Sequence, residues 1–278
     1  MMLQGLGALL RRRFVRWTRA PTWIVAGLLT PLLYLLLFGQ AFDLGKLVPA
    51  NPLAQAGLRS AIQGAPDYFS YFALGMVGMV AVTSALFSGT GVIFDKQLGI
   101  LQRTIATPVR RSTIFLSELL FYSFLVVLPI LIVLGLSLVF AHVPGLVGLS
   151  VTEHVGWLGA LEVLVAILVL SIAFTSLFLS FGFLLSRPES YFGVVNLLNL
   201  PLLFTSNALF PKGTSPGWLQ SITAYNPISL AVNVMRETFF GTAYYPYPSY
   251  IYLFGLLGWA LALSGLALLL ASRALRVK

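Results

Sequence analysis

The sequence predicts an all-α integral membrane protein built around six transmembrane helices. Of its 278 residues, 58% are hydrophobic and only 9% are charged, whereas soluble domains carry about 25% charged residues. The mean hydropathy of +0.92 also excludes a soluble globular enzyme. The apolar runs do not alternate with polar residues as the strands of a membrane β-barrel would. Helices are therefore the predicted spanning elements.

Six apolar runs approach or exceed the length of about 20 residues that a helix needs to cross the hydrocarbon core. They cover residues 22–42, 68–93, 114–140, 158–185, 191–209 and 247–272. The basic segment before the first run resembles the start of a signal peptide, but that run is longer than a signal-peptide core and lacks a clear cleavage site. No repeat or linker divides the chain, so we expect residues 1–278 to form a single membrane domain.

Positive charge is concentrated on one side of the predicted spans. An even number of spans puts both termini on the same side, which carries all but four of the 17 Lys and Arg residues. The four exceptions are Lys46, Arg59, Lys212 and Arg236. The positive-inside rule then places both termini in the cytoplasm, and we expect a multi-pass protein of a prokaryotic inner (cell) membrane. Cations between apolar runs suit the anionic headgroups of a lipid bilayer and not nucleic acid.

The first 21 residues have the pattern of an amphipathic helix. Apolar residues recur at spacings of three and four at Leu3, Leu6, Leu10, Phe14 and Trp17. Arg12, Arg16 and Arg19 fall on another face. The pattern predicts a helix over 1–21 that lies on the inner membrane surface, anchored by Arg12, Arg16, Trp17 and Arg19. The alternative is a basic flank that only fixes orientation.

The chain offers little catalytic chemistry. It has no Cys, no H-E-x-x-H pattern around its two His residues, and no G-x-x-x-x-G-K-[ST] loop for ATP. The only acids inside spans, Glu118 and Glu162, lie near opposite membrane faces. We therefore predict no enzyme activity and no cofactor on this chain.

Polar and flexible side chains within the spans are candidates for a substrate pathway or a subunit interface. A charge inside a membrane is costly without a role. Glu118 is close enough to the inner face of the membrane to reach the interface or to pair with a nearby Arg. The side chain of Glu162 could reach water at the outer face or line a substrate pathway. Asn196, Asn199 and Asn207 fit interhelical packing or a cavity wall. The candidate set is Phe72, Met76, Met79, Glu162, Asn196, Asn199, Phe204 and Asn207.

The inner connection 94–113 contains an apolar stripe at Leu98, Leu101 and Ile105. This spacing predicts a helix over 94–107, which Pro108 ends because the residue before proline avoids the α region. Such a helix could press against a cytoplasmic partner. The alternative is an ordinary basic loop.

The outer connection from residue 210 to 246 contains a second helical pattern. Apolar residues repeat at Ile228, Ala231, Val232, Met235 and Phe239, after Asn226-Pro227. About 14 helical residues cannot span a bilayer, so we expect a re-entrant or interfacial helix with Arg236 and Glu237 turned to water or paired. A cap lying on the surface is the alternative.

These features together resemble the membrane subunit of an ABC-2 type transporter, the permease group that includes the daunorubicin-resistance permeases. The similarity covers nearly the whole chain. Its local motifs are Gly99 with the run Ala106-Thr107-Pro108-Val109, and Asn226-Pro227 followed by Arg236 and Gly241. The chain departs from the family pattern at Ile100, where Thr is usual, and at Gln97 and Gln102, where acids are common.

The resemblance implies an ATP-driven exporter of an amphipathic small molecule, drug or lipid-like substrate. A separate ATP-binding subunit, which carries ATP and Mg, would dock beneath the membrane subunit. The helix of the first inner loop would be the coupling helix, with Asp95, Gln97, Gly99, Leu101 and Pro108 as its coupling residues. Two membrane subunits, a homodimer rather than a heterodimer, would form the pathway, with spans two and five near the interface.

Two other classes of protein remain as alternatives. An ion-driven secondary transporter would need linked carboxylates at mid-membrane depth or broken helices in repeated halves, and the sequence shows neither pattern. A membrane scaffold subunit that transports nothing is the other alternative. Transport that depends on ATP would separate the three.

Overall fold

The computed structural model of the chain describes residues 2–18, 29, 32–37, 39–40, 51–153, 155–211 and 215–275. Within these ranges the regular secondary structure is helical and contains no strand. The first helices are α1 (Met2–Thr18), α2 (Pro52–Ala61), α3 (Tyr68–Gln97), α4 (Ile100–Ile105) and α5 (Arg111–Phe140). They are followed by α6 (Trp157–Leu184), α7 (Pro188–Phe204), α8 (Gly217–Tyr225), α9 (Pro227–Phe240) and α10 (Ser249–Ala274).

Four of the described helices, α3, α5, α6 and α10, are long and apolar enough to cross a membrane. They coincide with the predicted spans 68–93, 114–140, 158–185 and 247–272. The fifth predicted span, 191–209, corresponds to α7, whose 17 residues extend for about 25 Å at the helical rise, less than a hydrocarbon core of roughly 30 Å. The first, 22–42, lies largely outside the described residues. The total of six spans therefore stays a prediction.

Helix α6 forms the centre of the bundle. It contacts α3, α5, α9 and α10, and it is the most deeply buried of the four long helices. Near its C-terminal end, α6 crosses α3, and Gly182 lies against the backbone of Gly89 there. The approach is so close that a Cβ on Gly182 would be 2.6 Å from the Gly89 Cα. Small residues permit such close approach between membrane helices. By contrast, α10 is mostly exposed, as a lipid-facing helix would be.

A break at Gly99 corrects the predicted helix over 94–107. Helix α3 continues to Gln97, Gly99 adopts φ +68° and ψ +10°, and the separate six-residue helix α4 begins at Ile100. Glycine is the residue that adopts this left-handed conformation at no steric cost. The break also divides the predicted stripe, because Leu98 is 67% exposed and Leu101 only 6%. Helix α4 ends before Pro108, as expected.

The outer connection folds into two helices, α8 and α9, joined at Asn226. The Asn226 side chain accepts a hydrogen bond of 2.8 Å from the Ile228 N–H, and Pro227 occupies the first turn, which together start α9. Helix α9 packs against α3, α6 and α10. Only Asn233 and Thr238 of α9 are not buried. A cap lying on the surface would expose one face, so that alternative does not fit.

Candidate coupling site

The turn between α3 and α5 presents a polar surface at one end of the bundle. Its exposed residues are Gln97, Leu98, Gln102, Arg103, Ala106, Thr107, Pro108 and Arg110. We call this end, where α3, α6 and α10 finish, the inner end, and the opposite end the outer end. Of the predicted coupling residues, Gln97 and Pro108 lie on this surface and Gly99 forms its turn.

The other two predicted coupling residues, Asp95 and Leu101, point into the protein. Leu101 belongs to an apolar cluster with Ile114 and Phe115 of α5 and with Leu179 and Phe183 of α6. It therefore fastens α4 to the bundle. Asp95 is 6% exposed and contacts helix α1.

Asp95 and Glu118 both pair with Arg13 of α1. The Arg13 Nη2 donates to the Asp95 Oδ2 at 2.9 Å and also to the Glu118 Oε1. Glu118 is only 2% exposed, and of the two alternatives for it, reaching the interface or pairing with a nearby Arg, the structure shows the pairing. Arg13 was not among the predicted anchoring residues. This ion triad joins α1, α3 and α5 beside α4, around a small cavity that Arg12 and Thr104 also line.

Helix α1 also packs on α5 through aromatic rings. The Phe14 ring lies 5.3 Å from Phe121 and 5.2 Å from Phe124, and Trp17 lies 6.4 Å from Phe124. Of the predicted anchors, Arg12 is exposed and Trp17 partly exposed. The side chain of Arg16 and all of Arg19 lie outside the described residues. The position of α1 on the membrane surface stays a prediction.

Lys96 joins the inner end of α3 to the end of α6. Its Nζ donates to the carbonyl oxygens of Gly182 at 2.9 Å, Phe183 at 2.6 Å and Leu185 at 2.9 Å. The last carbonyl groups of a helix have no partner within the helix, and a cation is stabilising there. Lys96 was not among the candidate residues predicted from the sequence.

The predicted pathway residues separate into a buried and an exposed group. Phe72, Met76 and Asn207 are buried, and Met79 is partly buried. On α7, Asn196 and Phe204 are exposed, while the Oδ1 of the partly exposed Asn199 is buried and makes no hydrogen bond to the residues that the structure describes. Their apolar neighbours Leu197 and Leu200 are also exposed. The structure therefore does not bring the whole set together.

Arg236 of α9 is fully buried at the outer end, so of the two expectations for it, that it faces water or is paired, the first is wrong. Its guanidinium donates to the carbonyl oxygens of Tyr71 at 2.8 Å, Asn207 at 2.9 Å and Ala208 at 3.2 Å, and to the Gln63 Oε1 at 3.2 Å. The charge also lies 3.5 Å from the centre of the Tyr71 ring, a cation–π contact. This set, the Arg236 cage, holds α9 against α3 and the turn after α7.

A pair of acids lies next to the Arg236 cage. The Ser249 Oγ donates to the Glu162 Oε2 at 3.0 Å, and the Ser249 N–H donates to Glu237. Glu237 is 6% exposed, and its Oε2 has no hydrogen-bond partner in the described part of the chain. Burial raises the pKa of Glu237; the Ser249 hydrogen bond opposes this and the charge of Glu162 adds to it. Glu162 is partly exposed, and Ser249 is its hydrogen-bond partner among the described residues.

The stability of the protein is expected to fall as the pH rises through the raised pKa of Glu237. The proton on Glu237 stabilises the folded state fully below the ordinary pKa of 4.5, and this contribution is lost above the raised value. Glu237→Gln, which stays neutral, should remove that decline in unfolding midpoints measured from pH 4.5 upward. The control is Glu189→Gln, at an exposed acid of α7. Parallel curves for wild type and Glu237→Gln would refute the prediction.

Comparisons with known proteins give one consistent result. Residues 4–240 match the family model described as ABC-2 type transporter. The chain is 28% identical to a putative transport permease, ycf38, of Porphyra purpurea, over 87% of this chain and 76% of that protein. It is 25% identical to the daunorubicin resistance ABC transporter permease protein DrrB1 of Streptomyces coeruleorubidus, over 84% and 74%. Nodulation protein J of Rhizobium leguminosarum bv. viciae is 26% identical, over 84% and 82%.

Proposed function

Because the chain belongs to the ABC-2 type transporter family, we propose that it is the membrane permease subunit of an ATP-driven exporter and works as a dimer. The match over residues 4–240 carries this proposal. A separate ATP-binding subunit, with its ATP and Mg, docks at the inner end and supplies the energy. The permease subunit itself catalyses no reaction.

The inner end has the features of a docking surface. Gln97, Gln102, Arg103 and Pro108 are exposed there. Behind them, Leu101 and the ion triad attach the same segment to three helices. A surface that is polar outside and fixed inside can pass a movement of the docked subunit to the bundle.

The distribution of side chains supports cytoplasmic termini. Exposed Arg187 and Arg273 lie at the inner end with α4, whereas exposed Trp157 and Tyr250 lie at the outer end. Cations in cytoplasmic loops and aromatic rings at the membrane boundary are typical of multi-pass proteins. We therefore propose that both termini are cytoplasmic, in a multi-pass protein that we assign to a prokaryotic inner membrane.

The exposed face of α7 supports the dimer and the kind of substrate. Leu197, Leu200 and Phe204 are 74%, 59% and 52% exposed, with Asn196 beside them. We propose that this face meets the same face of a second copy, as the family resemblance implies for span five. An apolar wall with a few amides suits an amphipathic drug or lipid-like molecule. The relatives named for daunorubicin resistance and nodulation are compatible with such a range.

Affinity purification of the tagged chain from its own membranes in mild detergent tests the proposal. We expect a stoichiometric P-loop partner, identified by mass spectrometry, and ATP hydrolysis in the eluate. Arg103→Glu, on the exposed face of α4, should weaken partner recovery, because it reverses a charge on the docking surface. Arg59→Glu, an exposed Arg of α2 at the outer end, is the matched control.

A chain recovered without a partner or ATPase activity under several gentle conditions would refute an ATP-driven transporter. That result would favour an ion-driven carrier or a scaffold subunit. Equal partner recovery from Arg103→Glu and wild type would move the docking surface away from α4.

A further inference from the structure

Two neighbouring side chains at the inner end of α3 attach this helix to different parts of the molecule. Asp95 contacts Arg13 of α1, and Lys96 contacts the end of α6. Both come shortly before Gly99, where the chain turns into α4. A movement of α4 would therefore be passed to the end of α3 that is attached both to α1 and to α6.

The ammonium group of Lys96 uses its full capacity to donate hydrogen bonds. An ammonium group has three protons, and Lys96 has a carbonyl oxygen within 2.9 Å for each of them. Two of these oxygens belong to the last turn of α6 and the third to Leu185, just beyond it. Because hydrogen bonds are directional, three acceptors fix the position of α3 relative to the end of α6. An apolar contact would allow the two helices to slide past each other.

The end of α6 leads directly into α7. Only residues 185–187 separate the two helices. The start of α7 is also attached to α3, because the hydroxyl of the fully buried Tyr191 donates to the Leu86 carbonyl at 2.5 Å. With the close crossing of Gly89 and Gly182, α3, α6 and α7 are joined along their inner halves. Lys96 is the member of this junction nearest to α4.

We infer that Lys96 is a positioning residue of the coupling mechanism, which ties the α3–α4 turn to the α6–α7 corner so that both move together. The inference rests on the proposed function, in which α4 receives the movement of an ATP-binding subunit. Without the ammonium group of Lys96, α4 and the adjoining end of α3 would move, while residues 185–187 and the start of α7 would not follow. The partner would still bind, because Lys96 points into the bundle and away from the exposed surface of α4.

Spin labels across this junction test the inference in the intact complex. The chain has no Cys, so Phe94→Cys and Ser186→Cys, both at exposed positions, introduce the only two labelling sites of the permease. The distance between labels is measured with and without a non-hydrolysable ATP analogue. Two versions of the labelled chain are compared with the parent, Lys96→Met and Lys96→Arg. Met keeps an apolar stem without donors, whereas Arg keeps a cation that can donate to several carbonyls.

We expect the parent complex to keep one distance in both states. Lys96→Met should keep the partner and ATP hydrolysis, with an unchanged distance in the absence of nucleotide and a second, longer distance when the analogue is added. Lys96→Arg should restore the single distance. Such a nucleotide-dependent change, with rescue by Arg, is not expected from a residue that only stabilises the fold.

Three results would overturn the inference. They are a single distance for Lys96→Met in both states, a distance that is already broadened without nucleotide, and loss of the partner from Lys96→Met. A parent chain that recovers no ATP-binding partner would instead refute the proposed function, which keeps the two failures distinct.

Discussion

Arg236→Met is expected to lower the unfolding temperature of the protein strongly. Met fills much of the same space but donates no hydrogen bond, so the buried carbonyl groups of Tyr71 and Ala208 lose the donor that Arg236 supplies. A buried polar group left without a partner costs roughly 1–3 kcal/mol, and the cation–π contact with Tyr71 is lost as well. The midpoint of thermal unfolding in detergent, followed by tryptophan fluorescence, measures the effect.

Two further Arg variants define the cause. Arg59→Met removes an exposed Arg at the same end of the molecule and should leave the midpoint unchanged. Arg236→Lys keeps the charge with fewer, differently placed donors, and should fall between wild type and Arg236→Met. If Arg236→Met unfolds at the same temperature as wild type, the Arg236 cage does not hold α9 in place.

Gly99→Val is expected to lower the ATPase rate of the purified complex, although the chain still reaches the membrane. Gly99 has φ +68°, and a Cβ placed on it would have open space around it. The effect therefore comes from the backbone, where a β-branched residue in this region costs about 1–3 kcal/mol. Because α4 has only six residues, relief of this strain would reorient it. Recovery of the ATP-binding partner and the ATPase rate of the purified complex measure the change.

Gly99→Asn is the matched control, because Asn tolerates the left-handed conformation better than other side chains. We expect it to retain most of the ATPase activity of the complex. Equal loss from Asn and Val would point to a need for a small side chain at the docking surface. Normal activity of Gly99→Val would remove Gly99 from the coupling site.

The long helices were predictable because continuous apolar runs leave few alternatives. The ends of these helices differ from the predicted bounds because they are set by local capping residues, which a hydropathy pattern does not include. Asp67 starts α3 by accepting from the Ser70 N–H at 2.7 Å, and Pro188 starts α7 before the apolar run begins. The break at Gly99 was missed because the apolar stripe continued across it.

The charge count overlooked a sequence signal at two cations, the partly buried Arg13 and the fully buried Arg236. Arg13 follows Leu10 by three residues and precedes Trp17 by four, which puts it near the apolar face of α1. Arg236 follows Val232 by four and precedes Phe239 by three, on the apolar face of α9. Residues three or four apart share one side of a helix. A cation at such a position needs a buried partner, and the structure supplies one in both cases.

The role of Lys96 had no such signal. Its three acceptors are backbone carbonyl groups in the last turn of a helix and just beyond it, more than 80 residues away in the chain. Every residue carries a carbonyl group, so composition and spacing do not identify the ones that remain free at a helix end. Contacts of this kind depend on how helices assemble, which a single sequence does not reveal.

The Arg236 cage also sets an order for biogenesis. A helix of 14 residues with an unneutralised Arg would be rejected by the lipid phase if it entered alone during insertion. Its acceptors at Tyr71 and Asn207–Ala208 belong to segments synthesised earlier. We therefore expect helix α9 to pack only after α3 and the turn behind α7 are in place. Synthesis from the N-terminus delivers these parts in the required sequence.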